Sequence, residues 1–134
     1  MKIRELLTES LDRKSTYKIL HSFIRYAAEH LELEQLPKFD IVFDHNHSVK
    51  NSSFGGYGER HIMITVKDRH IMDVCRTLAH ELVHYRQDVA GDLNGDDPGA
   101  IGSPQENEAN AEAAVIMRNW GKMHPKLFSL RAVE

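Results

Sequence analysis

His80-Glu81-Leu82-Val83-His84 sets two imidazoles four residues apart with a carboxylate between them. On a helix of 3.6 residues per turn, side chains at i and i+4 stand one above the other on a single face, so this pair can grip one metal ion while Glu81 flanks the same pocket. The pattern is that of a zinc hydrolase helix, in which the carboxylate serves as general base. The chain holds 9 His in 134 residues, so the pentad needs support from its surroundings.

The flanking residues supply a helix. Ile71, Val74, Cys75, Leu78, Leu82, Tyr85 and Val89 recur with helical period and predict a helix from about residue 71 to 90, closed by Gly91. His80 and His84 are expected to project away from that apolar stripe toward a cleft. A catalytic zinc takes three protein donors and keeps one position open, so one further ligand is required. A third His at the HExxHxxGxxH spacing is excluded, because Gln87 and Ala90 occupy the Gly and His positions. Asp92 and Asp96, just past the helix, are candidates. A second helix offers more. Ser103, Pro104 and Glu106 fit an N-cap, N1 and N3, which reads as a capping box opening a helix to about residue 121. On it Glu108, Glu112, Val115 and Asn119 share one side, and Ala109, Ala113, Ile116, Met117 and Trp120 form an apolar face. Glu108 as ligand with Glu112 one turn away would resemble a metal site whose ligand is oriented by an outer carboxylate.

The run from Thr77 to His84, followed by Glu108-Ala109-Asn110 and Glu112, resembles the gluzincin metallopeptidases, in which a Glu on a downstream helix completes an HExxH site. Together with the hairpin-like stretch 53–66, it looks like the ImmA/IrrE type of small intracellular metallopeptidase, over roughly residues 53 to 120. The resemblance implies that His80, His84 and Glu108 bind Zn2+, that Glu81 is the base, that Glu112 supports a His ligand, and that peptide bonds are cut. Tyr57, Tyr85 and His61 are the candidate oxyanion stabilisers.

The rest of the chain is consistent with this. Its length suits one domain, and 41% hydrophobic content suffices for a core. Seventeen Lys and Arg against 20 Asp and Glu give a net charge of −3, which disfavours nucleic acid as the main partner and leaves a peptide or protein substrate. The opening residues lack the unbroken apolar run of a signal peptide, and no stretch has the length of a membrane span. The one cysteine, Cys75, lies on the apolar stripe and reads as a core residue; the expected compartment is the cytoplasm.

Residues 2–11 predict a short helix, and Ser15 the cap of a longer one to about Leu31 with Tyr17, Leu20, Phe23, Ile24, Ala27, Ala28 and Leu31 inward. Strands are expected at Phe39 to Phe43 and at Ile62 to Val66. The expected fold is therefore α+β: a single minimal zincin-like domain over 1–134, with a small, mostly antiparallel sheet and two metal-bearing helices. Strand 61–66 is a candidate cleft edge able to pair with an extended peptide, or else an interior strand. Asp92-Leu93-Asn94-Gly95-Asp96 begins like a calcium loop, but Asp97 stands where Gly is needed and Ser103 where Glu is needed, so a polar connection is the better reading. Asp44-His45-Asn46-His47 reads as a solvated loop rather than a second metal site. The rival function is a zinc-stabilised interaction module that captures a partner without cutting it.

Overall fold

The computed structural model describes residues 11–43, 55–93, 102–130 and 133. The elements in order are helix α1 (Arg13–His30), strands β1 (Lys38–Val42), β2 (Gly55–Gly58) and β3 (His61–Thr65), helices α2 (Ile71–Val89) and α3 (Pro104–Met123), and a 3-10 turn (Pro125–Ser129). The architecture is α+β. The short helix expected at 2–11 and the Asp44-His45-Asn46-His47 cluster lie outside the described residues, apart from Leu11, which forms an isolated parallel bridge with Val133.

The cap of helix α1 falls three residues before the expected Ser15, because Asp12 performs the capping and its carboxylate accepts from the Ser15 amide at 2.8 Å. Leu20, Phe23, Ile24, Ala27 and Leu31 are buried as expected, whereas Tyr17 is exposed, its ring tilted against Phe43. The sheet order is β1-β3-β2, with β1 parallel and β2 antiparallel to β3. The sheet is mixed rather than mostly antiparallel. Strand β3 is its centre and not its edge, which is why Ile62 and Ile64 are fully buried. Among the described strands the outer one beside α2 is β2, which runs Gly55 against Thr77 and Tyr57 against Asp88.

Strands β2 and β3 are joined by a two-residue turn in which Glu59 and Arg60 both take positive φ, 52° and 59°. This is the backbone of a type I′ hairpin, which favours Asn-Gly because a Cβ in the left-handed region costs roughly 1 kcal/mol per residue. Arg60→Gly is therefore expected to raise stability by about 1 kcal/mol, read as a higher urea midpoint at unchanged slope.

Helix α2 is the centre of the molecule. Its N-cap is His70, whose Nδ1 accepts from the Met72 amide at 3.1 Å. The buried Arg69 beside it donates to the Thr65 carbonyl, the Asp73 carboxylate and the Thr77 hydroxyl, tying the end of β3 to the first turns of the helix. Val74, Cys75, Leu78, Ala79, Leu82 and Val83 are fully buried, and Cys75 is the core residue expected, its thiol pushed well up by burial. Val89, placed on the apolar stripe from its spacing, is exposed. Because α1 and the sheet cover one side of α2 and α3 covers another, the helix is buried around most of its circumference. Its histidines point into the seam with α3, not into an open cleft. No helix of the described residues is long and apolar enough to cross a membrane.

Candidate metal centre

His80 and His84 sit one turn apart, ring centroids 4.7 Å from each other, with their Nε2 atoms 3.1 Å apart. The first turn of α3 meets them. Ser103 caps that helix by accepting from the Glu106 amide at 3.1 Å, which fixes Glu106 at N3. Its carboxylate divides between the imidazoles, Oε1 at 2.9 Å from His80 Nε2 and Oε2 at 3.1 Å from His84 Nε2. One ligand atom from each of His80, His84 and Glu106 lies within 4.8 Å of the others.

The carboxylate at the imidazoles is thus Glu106, not Glu108. Two residues advance a helix by about 200°, so Glu108 leaves the seam; it accepts from Gln87 Nε2 at 2.9 Å and lies 3.6 Å from Arg86. Glu112 does not support either histidine of the pair. It is on the flank facing α1, 3.4 Å from His30. The side chains that do touch the imidazoles are two amides: Asn110, one turn after Glu106, hydrogen-bonds His80, and Gln87 bonds His84 Nδ1 at 2.8 Å.

The donor set fits a cation. Gln87 accepts from His84 Nδ1 through its Oε1, so a neutral His84 presents a bare Nε2 to the carboxylate and to the other imidazole. Burial holds His80 below the usual imidazole value, against the pull of Glu106 and with a smaller contribution from His84, which favours the neutral form of His80. The lone pair of His84 Nε2 then faces the Glu106 carboxylate, an arrangement that a cation can bridge. Two imidazoles and one carboxylate are a zinc ligand set.

Glu81 lies 9% exposed beside this group. Burial pushes its carboxyl up from 4.5 to about 7, with Glu106 adding to the rise and His84 opposing it. In the metal-free protein the neutral carboxyl therefore contributes stability that is fully present below 4.5, where the unfolded chain also binds the proton, and fades as pH rises through about 7. Glu81→Gln, neutral at every pH, is expected to match the wild type in acid and to exceed it above neutrality by about 1–3 kcal/mol, measured by urea unfolding in chelator.

Of the three oxyanion candidates, Tyr57 donates its hydroxyl to Asp88 Oδ2, one turn beyond His84, and meets Tyr85 edge-on at 6.2 Å. Burial and that carboxylate both raise the Tyr57 phenol. His61 starts β3 on the exposed side and shares with Tyr85 a groove that also includes Pro37, Lys38 and Arg60. None of the three belongs to the His80, His84 and Glu106 group. Asp92, the other carboxylate weighed as a ligand, accepts from Gln105 through its backbone carbonyl, while Asp96 lies outside the described residues.

No family model, no curated protein and no solved structure matches this chain.

Proposed function

We propose that this chain is a zinc-dependent metallopeptidase of the gluzincin kind, in which His80, His84 and Glu106 hold the metal and Glu81 moves the proton. One observation carries the reading: two imidazoles and a carboxylate from separate helices converge within 4.8 Å, with a second carboxyl buried beside them. Among the described residues the cluster has three members, the number that leaves a tetrahedral ion one vertex for chemistry. That count supports an enzyme over a closed structural staple.

Zinc, when bound, supplies Lewis acidity toward a water and toward the scissile carbonyl. The chain does the rest. Glu81, held near neutrality by burial, takes a proton from the attacking water and returns it to the leaving amine. Glu106 and the paired amides of Asn110 and Gln87 keep both imidazoles directed at one point. The compartment proposed is the cytoplasm, in keeping with a lone buried cysteine.

The test is equilibrium dialysis with elemental analysis, paired with cleavage of an unstructured protein such as casein. The expected result is about one zinc per chain, with cleavage lost in chelator and restored by zinc. A stoichiometry near zero for every divalent transition metal would overturn the metal site. Bound zinc without cleavage of any unfolded substrate, and with a sharp fall in stability on chelation, would establish the interaction module instead.

A further inference from the structure

We infer that Gln87 is a positioning residue that sets which nitrogen His84 offers to the metal, and that Glu108 keeps Gln87 in that orientation. The inference rests on the zinc reading of the same site. Gln87 stands three residues past His84, the place of the Gly in the three-histidine pattern, and it is a buried amide, 3% exposed. Its Oε1 faces His84 Nδ1 at 2.8 Å, and its Nε2 donates to the Gln105 carbonyl and to Glu108 Oε1, each at 2.9 Å.

An amide can be turned over, but here chemistry forbids it. Both partners of Nε2 are acceptors only, so a reversed amide would set oxygen against oxygen twice. The amide therefore accepts from His84, Nδ1 keeps the proton, and Nε2 is left free for Glu106 and the ion. The partners of Nε2 come from the second and fifth residues of α3, either side of Glu106. That stretch thus supplies a ligand directly and orients a second one through Gln87. Glu108 acts here by its charge and acceptor oxygens, drawn in by Gln87 with Arg86 at 3.6 Å on its other side.

The experiment combines long-range proton–nitrogen NMR of the histidine rings in metal-free protein with zinc affinity from competition against a chromophoric chelator. Wild type is compared with Gln87→Leu, with Glu108→Ala and with Glu108→Gln, whose side-chain oxygen can still accept from Gln87 Nε2. Expected are an Nδ1-protonated His84 in wild type, a mixed tautomer with about 10–100-fold weaker zinc binding in Gln87→Leu, a smaller loss in Glu108→Ala, and recovery of most of that smaller loss in Glu108→Gln. A His84 protonated on Nε2 in wild type would overturn the inference. So would a folded Gln87→Leu that binds zinc as tightly as wild type. Where Gln87→Leu does not fold, Glu108→Ala decides, and an unchanged tautomer and affinity there would overturn it. A wild-type chain that takes no zinc overturns the metal reading itself, while zinc binding indifferent to these variants overturns the role of Gln87 alone.

Discussion

Glu106→Ala is expected to weaken zinc binding on the order of a hundredfold to a thousandfold, whereas Glu108→Ala costs about tenfold or less. Apparent zinc affinities of about 10–16 kcal/mol over four protein ligands assign roughly 2.5–4 kcal/mol to each donor. Glu106 faces both imidazoles with one oxygen apiece, so its removal takes away a donor and leaves two neutral nitrogens that approach each other at 3.1 Å. Glu108 is separated from the metal by two residues, Gln87 and His84, and acts only through them. Competition against a chelator of known affinity separates the two. Equal losses, or a larger loss for Glu108→Ala, would move the ligand from the third position of α3 to the fifth and undo the site described here.

The second large effect is on rate. Glu81→Gln is expected to keep zinc within a few-fold of wild type yet to lower kcat by about 10²–10⁴, since a positioned general base contributes that much and an amide cannot take the proton. The substitution is isosteric and retains the shape of a side chain that is 9% exposed, and above neutrality it removes a buried charge rather than a contact. KM should change little, because Glu81 moves a proton during the reaction and does not hold the peptide in the ground state. The measurement is initial rates of peptide cleavage with zinc content determined on the same samples. Wild-type turnover by Glu81→Gln would end the proposed mechanism.

Much of this arrangement was legible in the chain because it is local. The apolar residues of α2 recur with a helical period, and Ser103-Pro104 marks the start of α3 to the residue. What escaped is instructive. Glu106 already had a reason to be there, as the third residue of a capping box, and that explanation concealed a second one. The signal was present nonetheless: Glu106, Ala109, Ala113 and Met117 fall on one helical face, and the last three are buried, so the carboxylate stands on the inward side of α3 while Glu108 stands on the outward one. Family resemblance drew attention to the Glu next to Ala109-Asn110, although Asn110 turns out to matter through its contact with His80. The sheet was less readable for a different reason. The parallel pairing of β1 with β3 joins Phe39 to Ile62 across a long separation in sequence, and nothing in a five-residue strand states its partner or direction. His70 as an N-cap was equally hidden, because an imidazole nitrogen seldom does the work of Ser or Asp.

At Gly55 an added Cβ would come 2.8 Å from the Thr77 methyl and 3.1 Å from the Met63 carbonyl. The methyl has nowhere to turn, since the Thr77 hydroxyl is held by Arg69 and by the Asp73 carbonyl. At Gly56 and Gly58 an added Cβ would meet nothing. The four residues of β2 therefore answer differently to substitution: any side chain at 55 pushes the strand off the helix that carries the histidines, while 56 and 58 have room to receive one without moving the backbone.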